Sequence, residues 1–183
     1  SPRRKEILSQ IGLKYEVVPS RFEEIPIDIN YEGLAMYYAE GKALDVARMI
    51  KEEAFVIGAD TIVYLDKIMG KPKNAEDAYY MLSNLSGAFH SVITGISIVK
   101  TPSLTIKTEY EKTRVKFKDI TKEEIEAYIK TGEPMGKAGG YAIQGKGSLL
   151  VERINGCYFN VVGLPVYRLS IMLKSFNYDL FRG

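Results

Sequence analysis

Strand patterns and capped helix patterns alternate along the whole sequence, and this alternation limits the fold more than any other feature. Runs of apolar and β-branched residues predict strands over residues 14–18, 54–64, 67–70, 90–100, 103–118 and 148–154. Helical spacing predicts helices over residues 2–11, about 30–52 and 121–131, and in the segments that follow residues 74 and 165. This order predicts an α/β fold with a mixed sheet. We see no linker, so we expect a single domain over residues 1–183.

Three of the predicted helices begin at residues that suit a helix N-terminus. Asn30 and Asn74 precede helical patterns, and an asparagine side chain can accept a hydrogen bond from the first turn of a helix. Thr121 and Glu124 have the spacing of a capping box, in which each side chain bonds to the backbone N–H of the other.

The composition excludes several classes of protein. Cys157 is the only cysteine among 183 residues, which excludes an internal disulfide framework and favours a reducing compartment. The formal net charge of +2 is too small to indicate a surface that binds nucleic acid or membrane. No apolar run approaches the roughly 18 residues of a membrane span. We therefore expect a cytoplasmic protein with neither a membrane nor a nucleic acid as its partner.

An acidic residue interrupts the apolar strand predicted over residues 54–64. Asp60 follows Gly58 and Ala59 and precedes Thr61. A buried carboxylate is costly unless it is paired or binds a cation. The small residues before it would let a ligand approach the backbone closely. Asp60 is therefore a candidate for chemistry, although an aspartate in a turn at a strand end would also fit this pattern.

Three cations occupy positions that suit an anionic ligand. Lys71 lies between the flexible Gly70 and the rigid Pro72, so we expect its position to be fixed. Arg3 and Arg4 lie in the first turn of a predicted helix, where positive charge opposes the helix dipole. A bound phosphate would remove that conflict, because helix N-termini and guanidinium groups both favour it. The alternative for all three is an ordinary solvated side chain.

The segment "GKAGGYAIQGKG", residues 136–147, holds five glycines together with Lys137 and Gln144. Such a segment can approach a ligand closely and present backbone N–H groups to it, or it can be a mobile loop. His90 is the only histidine, which excludes a histidine-based catalytic triad and a multi-histidine metal site. We expect His90 to be structural.

A buried acid, several cations and a glycine-rich segment together predict a polyanionic substrate. The acid would hold a metal ion or activate water. The sequence contains neither a P-loop nor the glycine motif of dinucleotide-binding folds. The residues alone therefore predict an α/β enzyme that acts on phosphates by some other arrangement.

Five motifs follow one another along the sequence, namely "SPRRKEIL", "GADTIV", "GKPKNAEDAYYML", "LSG" with the following "HSVITG", and "KAGGYAIQG" with "VERINGCYFNVVGLP". In this order they resemble the motifs of the Maf family of nucleoside triphosphate pyrophosphatases. The resemblance implies an elongated fold similar to inosine-triphosphate pyrophosphatases, with a sheet flanked by helices and a cleft between two lobes. It also implies hydrolysis of a nucleoside triphosphate to the monophosphate and pyrophosphate with Mg²⁺ or Mn²⁺, and a link to arrest of septum formation in bacteria.

The resemblance also implies roles for individual residues. It makes Asp60, Glu24 and Lys71 catalytic, with Glu24 and Asp60 as metal ligands. The substrate-binding positions that it implies are Ser1, Arg3, Arg4, Lys42, Thr61, Lys137 and Gln144. We expect Asp60 to act as the general base and Glu24 to hold the metal, and these two roles could be exchanged. The Asp-Thr pair at 60–61 is similar to the branch of the family that acts on dTTP and UTP.

The sequence departs from the family pattern at three points. The family usually has a strand of the type Ile/Val-Leu-Ala-Ser before Ser-Pro-Arg-Arg, and this sequence lacks it. Ala88 stands where a basic residue is common after "LSG", and Gly136 stands where an acidic residue is common before the loop lysine.

The favoured function is a pyrophosphatase that acts on dTTP and UTP, with modified pyrimidine nucleotides as further candidates and a homodimer as the candidate assembly. Two alternatives stay open. A non-catalytic regulator of cell division or nucleic-acid-binding protein would need a basic surface that includes aromatic residues. A hydrolase of inosine or xanthosine triphosphate would share the fold and differ in how it recognises the base.

Overall fold

Helices and strands alternate along the chain, largely as the sequence predicts. The computed structural model describes residues 1–182, and Gly183, the last residue of the predicted domain, lies outside the described residues. The helices are α1 (Pro2–Gln10), α2 (Tyr31–Ala47), α3 (Ala75–Leu85), α4 (Lys122–Lys130), α5 (Tyr158–Val162) and α6 (Val166–Lys174). Across residues 1–182, no helix has both the length and the apolar composition that crossing a membrane requires.

Five strands among the described residues form one sheet. They are β1 (Ala54–Tyr64), β2 (Ile68–Met69), β3 (Phe89–Thr101), β4 (Thr105–Phe117) and β5 (Val151–Asn155), and their order in the sheet is β2-β1-β3-β4-β5. β1 and β2 are antiparallel, with Val63 opposite Met69. β4 and β5 are also antiparallel, with Val115 opposite Ile154. The predicted α/β class is confirmed.

The chain divides into two compact units. Among the described residues, the first unit contains residues 1–61, 94–111 and 163–182, and the second contains residues 62–93 and 112–162. The single domain expected from the sequence stays a prediction, and the two units are described separately below.

The predicted helix caps are confirmed. The Asn30 and Asn74 side chains each accept a hydrogen bond from the backbone N–H group three residues further on. Thr121 and Glu124 form the reciprocal pair of a capping box. These caps satisfy N–H groups that have no partner within the helix, which explains why helix starts were the most predictable boundaries in the sequence.

The first unit is built on a close approach of α2 to β1 and β3. A Cβ atom on Gly58 would lie 2.2 Å from the carbonyl oxygen of Ala39, and one on Gly95 would lie 2.2 Å from that of Ala35. Real side chains do not come this near to a backbone oxygen, so only glycine fits at either position. The helix contributes small buried residues to the same contact, among them Ala35, Ala39 and Ala43. The helix backbone therefore rests directly on the two strands.

The second unit buries the lone histidine within an aromatic cluster. The His90 ring meets Phe117 and Tyr141 edge to face, with ring centroids 5.0 and 5.4 Å apart. Its Nε2 lies 2.7 Å from the Tyr141 hydroxyl. Burial lowers the pKa of His90 to about 4, so the ring is neutral at neutral pH. These contacts agree with the structural role expected for His90.

The strand predicted over residues 14–18 is wrong. Residues 13–27 form neither helix nor strand. A strand is stabilised by hydrogen bonds to a neighbouring strand, and none of the five strands in the sheet includes this segment as a neighbour. Its apolar and β-branched residues give it the composition of a strand without the pairing that would make it one.

The largest differences at other boundaries lie at the end of α2 and at the start of β5. α2 ends at Ala47, where the N–H groups of Met49 and Ile50 bond to carbonyls three residues back and tighten the last turn. The strand predicted over residues 148–154 begins at Val151, because a 3₁₀ helix (Gly145–Leu150) occupies the preceding residues. A second 3₁₀ helix (Ala138–Gly140) and the short α5 were not predicted.

The contact between α2 and β3 predicts the effect of a small substitution. Gly95→Ala should lower the free energy of unfolding by about 3 kcal/mol, the upper part of the range for overpacking, because the new methyl group meets backbone atoms that cannot turn aside. Gly70→Ala is the matched control, since a Cβ at Gly70 has nothing within 4 Å. Urea denaturation of both variants would measure the difference. Equal stability of the two variants would contradict the close approach.

Candidate active site

Asp60 lies near the middle of β1 with its side chain largely buried. The side chain is 14% exposed, and its Oδ1 accepts a hydrogen bond of 2.7 Å from Nζ of Lys42 on α2. A carboxylate in this position is stable only with a nearby positive charge, and Lys42 supplies it. The acid that interrupts an apolar strand in the sequence is therefore a paired acid in the structure.

Lys42 also contacts a second carboxylate. Its Nζ lies 2.5 Å from Oε1 of Glu24, which belongs to the irregular segment before α2. The Glu24 side chain is 50% exposed, so this carboxylate is open to solvent while Asp60 is not. Three residues far apart in the sequence thus form an acid–lysine–acid cluster, and the close approach of α2 to β1 brings Lys42 within reach of Asp60.

The cluster offers two carboxylates to a cation. No group of three or more histidine, cysteine, aspartate or glutamate residues suitable for a metal ion occurs within the described part of the chain. Mg²⁺ is commonly held by one or two carboxylates together with water and substrate phosphates. The oxygen donors of Glu24 and Asp60 match that pattern, and they do not match an ion that requires a complete shell of protein ligands.

Arg4 connects α1 to β1. Its guanidinium donates hydrogen bonds to the carbonyl oxygens of Gly163 at 2.7 Å and Ala59 at 2.9 Å, and to the Thr61 hydroxyl at 3.0 Å. Thr61 in turn lies 2.9 Å from the hydroxyl of Thr94 on β3. These bonds use three of the five N–H groups of the guanidinium, and they hold the Ala59 carbonyl and the Thr61 side chain on either side of Asp60.

The surroundings of Arg4 lower its pKa. Burial is the largest cause, Arg3 acts in the same direction, and the negative charges of Asp60 and Glu24 oppose it. A guanidinium in a protein is not deprotonated at neutral pH, so Arg4 is a cation. Its charge therefore acts on the same region as Asp60 without a direct hydrogen bond to it.

A cavity of about 780 Å³ lies beside this cluster in the first unit. Ser1, Arg4 and Lys42 line one part of it, whereas residues such as Leu8, Val46 and Leu173 make most of its wall apolar. The same lining includes four cationic side chains, Arg4, Lys5, Lys14 and Lys42, and a polyphosphate requires cations. The charged part of the cavity is therefore compatible with a polyanionic ligand, whereas its apolar part offers no partner to phosphate.

The other predicted residues belong to the glycine-rich segment and the turn before α3. In the second unit, the N–H of Gly139 donates to the carbonyl of Gly70, which joins the glycine-rich segment to the residue before Lys71. Nζ of Lys137 donates to the backbone carbonyl of Glu133 at 2.5 Å. Gln144 is the residue directly before the 3₁₀ helix Gly145–Leu150.

The predicted site residues therefore divide into two sets. The first unit holds Ser1, Arg3, Arg4, Glu24, Lys42, Asp60 and Thr61. The second unit holds Lys71, Lys137 and Gln144. Within the first set, direct contacts join Glu24, Lys42 and Asp60, and separately Arg4 and Thr61. The roles of all ten residues stay predictions.

Three residues at these contacts were not predicted from the sequence. Thr94 and Gly163 hold Thr61 and Arg4, and Glu133 holds the glycine-rich segment. Thr94 is a polar residue within the apolar run of β3, and this break in the pattern could have identified it from the sequence. Gly163 acts through its backbone carbonyl, so its side chain carried no signal.

Comparisons with known proteins agree on one family. The model of the family described as Maf-like protein matches residues 1–176. A dTTP/UTP pyrophosphatase of Caldicellulosiruptor bescii is 49% identical over 188 aligned positions, which cover 100% of this chain and 94% of that protein. The protein of the same name from Acetivibrio thermocellus is 49% identical, with 100% and 94% covered. The one from Clostridium tetani is 45% identical, with 98% and 96% covered.

Proposed function

This chain belongs to the Maf-like family, and from that premise we propose that it hydrolyses dTTP and UTP to the nucleoside monophosphate and pyrophosphate. Relatives that are nearly half identical over the full chain carry the name dTTP/UTP pyrophosphatase. The observation that carries the proposal is the cluster of Glu24, Lys42 and Asp60, because it combines an acid able to activate water with a cation able to bind phosphate.

We assign the activation of water to Asp60. Lys42 donates a hydrogen bond to its Oδ1, and the other carboxylate oxygen, Oδ2, would accept the proton from water. The water attacks the α-phosphorus, and the bond to the bridging oxygen of the β-phosphate breaks. Pyrophosphate then leaves with the bonding electrons and several negative charges. The largest demand on the site is therefore neutralisation of the leaving group.

Four cations are proposed to meet this demand, namely Arg4, Lys42, Lys71 and Lys137. Arg4 has a limited capacity for direct contact, since three of its five N–H groups already bond within the protein. Its main contribution in this proposal is positive charge near the reaction and a fixed Thr61. Ser1 and Arg3 complete the proposed substrate contacts, with Arg3 nearest the base.

We propose Mg²⁺ or Mn²⁺ as the cofactor, with Glu24 as its more solvent-accessible ligand and Asp60 as the other. When bound, such an ion would neutralise phosphate charge and position the reacting oxygens. Lys42 now lies between the two carboxylates. It would have to move toward the substrate phosphates for both acids to serve the ion, which a lysine side chain can do because its stem is flexible.

Recognition of the base is assigned to Gln144 and Thr61. Uracil and thymine present one N3–H donor between two carbonyl acceptors, and one glutamine amide can match a donor and an acceptor together. Cytosine reverses this pattern at N3 and at position 4. An unsatisfied buried group costs about 1–3 kcal/mol. Cytosine leaves two mismatched positions, so the combined cost of about 2 kcal/mol or more would favour dTTP and UTP by at least about tenfold.

One observation supports the alternative of a nucleic-acid-binding protein. In the second unit, the guanidinium groups of Arg114 and Arg153 lie 4.6 and 5.4 Å from the ring centroid of the half-exposed Phe89, and Nζ of Lys116 lies 5.4 Å from it. A basic surface around an aromatic ring suits single-stranded nucleic acid. The stacked cations already cover this ring, however, and the net charge of the chain is only +2, so catalysis is the better supported function.

The remaining assignments also belong to this proposal. A cytoplasmic location agrees with the single cysteine, which the structure leaves as a free thiol. A role in septum formation and assembly as a homodimer rest on the family resemblance alone.

Asp60→Asn tests the catalytic acid. We expect turnover of UTP to fall by about 10²- to 10⁴-fold, because the amide keeps the shape of the carboxylate and cannot accept the proton. Binding of a non-hydrolysable UTP analogue, measured by calorimetry, should persist. Asp66→Asn, at an exposed acid between β1 and β2, is the matched control. More than about a tenth of the wild-type rate in Asp60→Asn would remove Asp60 from this role. A wild type without measurable turnover of UTP would favour the non-catalytic alternative.

Metal removal tests the cofactor and separates the two acids. Activity should disappear in EDTA and return with excess Mg²⁺ or Mn²⁺. If Glu24 is the main metal ligand, Glu24→Gln should raise the Mg²⁺ concentration for half-maximal rate by about tenfold or more. Removing even a side chain that only orients a metal ligand typically weakens metal affinity by about 10- to 100-fold. Full activity in EDTA would exclude the cofactor. If Glu24→Gln required the same Mg²⁺ concentration as wild type, Asp60 and not Glu24 would be the main metal ligand.

A substrate panel tests which base is recognised. The kcat/KM of wild type for dTTP and UTP should exceed that for CTP, ATP and GTP by at least about tenfold. Thr61→Gln should change this order, since it fills the space beside Asp60. Thr61→Ser keeps the hydroxyl that bonds to Arg4 and should preserve the order. A purine nucleotide or CTP as the best substrate would refute the pyrimidine assignment, and an unchanged order in Thr61→Gln would clear Thr61 of this role.

A further inference from the structure

Glu133 is joined to both ends of the glycine-rich segment although no role follows from its place in the sequence. Its Oε1 accepts hydrogen bonds from the Tyr128 hydroxyl at 2.9 Å and from the N–H of Gly147 at 2.9 Å. Its Oε2 accepts a hydrogen bond from the N–H of Lys146 at 3.1 Å. One partly buried carboxylate in a turn therefore accepts three hydrogen bonds from neutral donors.

These bonds replace a missing helix cap. Gln144 occupies the N-cap position of the 3₁₀ helix Gly145–Leu150, and its side chain does not cap that helix. The N–H groups of the first turn have no partner within a helix and favour a negative charge. The Glu133 carboxylate supplies both acceptors and charge to Lys146 and Gly147. The Gln144 amide is thereby relieved of the capping role that its position would otherwise give it.

The same contacts fix the backbone on the other side of Gln144. The Tyr128 hydroxyl that donates to Glu133 also accepts a hydrogen bond of 3.3 Å from the N–H of Ala142. Residues 142, 146 and 147 are thus held through one carboxylate and one phenol, with Gln144 between them.

The fit around Glu133 leaves little freedom. A Cβ on Gly145, which has a φ of +62°, would lie 2.8 Å from Oε2 of Glu133. One on Gly147 would lie 2.0 Å from the carbonyl oxygen of Ala142 and 2.7 Å from the Tyr128 hydroxyl. Two glycines of the segment are therefore explained by close packing against Glu133 and Tyr128.

The electrostatics of Glu133 suit a permanent anion. Burial alone would raise its pKa, but the N–H of Gly147, the Tyr128 hydroxyl and the N–H of Lys146 together outweigh burial and hold the pKa below its usual value. Lys137 contributes in the same direction, and its Nζ donates to the backbone carbonyl of Glu133. The carboxylate therefore remains charged at neutral pH.

We propose that Glu133 is a positioning residue for base selection, which holds the backbone on both sides of Gln144 so that the Gln144 amide can meet the edge of the nucleobase. This inference rests on the proposed function, in which Gln144 distinguishes uracil and thymine from cytosine. An amide on a mobile backbone could rotate and accept either base, whereas one on a fixed backbone presents its donor and acceptor in one arrangement.

The test compares Glu133→Gln with Glu126→Gln, an exposed glutamate on α4 whose carboxylate lies 3.9 Å from Lys122. In Glu133→Gln an amide N–H must face at least one backbone N–H donor, so the cap is lost while size is kept. We expect the ratio of kcat/KM for dTTP to that for CTP to fall about tenfold in Glu133→Gln and to stay unchanged in Glu126→Gln. Glu133→Asp, which keeps the charge, should recover part of the ratio.

Two further measurements separate this role from a general loss of stability. Thermal unfolding of Glu133→Gln should show a folded protein at the assay temperature. Gln144→Ala should lose the same selectivity. The double variant of Glu133→Gln and Gln144→Ala should lose little more, because both substitutions act on the same recognition of the base by Gln144. An equal fall of kcat/KM for dTTP and CTP in Glu133→Gln, with the ratio kept, would overturn the proposal.

Binding of the products distinguishes failure of this inference from failure of the proposed function. Calorimetry should show that wild type prefers UMP to CMP and that Glu133→Gln does not. A wild type that hydrolyses neither dTTP nor UTP but loses its preference for UMP on this substitution would refute the hydrolysis and support the role of Glu133. A wild type with no preference for UMP would overturn the role of Glu133.

Discussion

The close approach of α2 to β1 and β3 is the constraint on which the site depends. Gly58 and Gly95 let the helix backbone rest on the strands, with less room than a single methyl group would need. This contact buries the small residues of the helix and also sets how far Lys42 must reach to meet Asp60. Packing and chemistry are therefore fixed by the same two glycines, and a larger side chain at either one would disturb both.

In the proposed reaction, the acid–lysine–acid cluster would have to serve two states with different charges. In the structure, Lys42 compensates the largely buried Asp60 and the more exposed Glu24. A triphosphate with a divalent ion brings both a large negative charge and a new positive one. A lysine on a flexible stem can exchange carboxylates for phosphates at small cost, whereas a bidentate arginine would have to break two bonds. Of the two cations near Asp60, Lys42 can move, whereas Arg4 is fixed by its hydrogen bonds to backbone carbonyls.

Much of the fold could be predicted from short-range signals in the sequence. The errors occur where the structure of a segment depends on partners that are distant in the sequence. Asn74 and Thr121 cap helices whose starts they predicted, and the apolar run 54–64 is β1 with its bounds unchanged. Residues 14–18 have the composition of a strand and no strand beside them, and residues 145–150 are helical because a distant carboxylate caps them. Asp60 was conspicuous in the sequence because charge in an apolar strand is rare, whereas Gly163 acts through a carbonyl that every residue possesses.

Glu133 shows why the glycine-rich segment could not be interpreted as a phosphate loop from its glycines alone. Gly145 and Gly147 are required by contacts with Glu133, Tyr128 and the backbone of Ala142, and those needs arise within the protein before any ligand binds. A fixed backbone is what base selection demands, because a difference of about 1.4 kcal/mol corresponds to a tenfold preference and is lost when the recognising amide can reorient. In the proposed function, selectivity would therefore depend on the groups that hold Gln144 as well as on Gln144 itself.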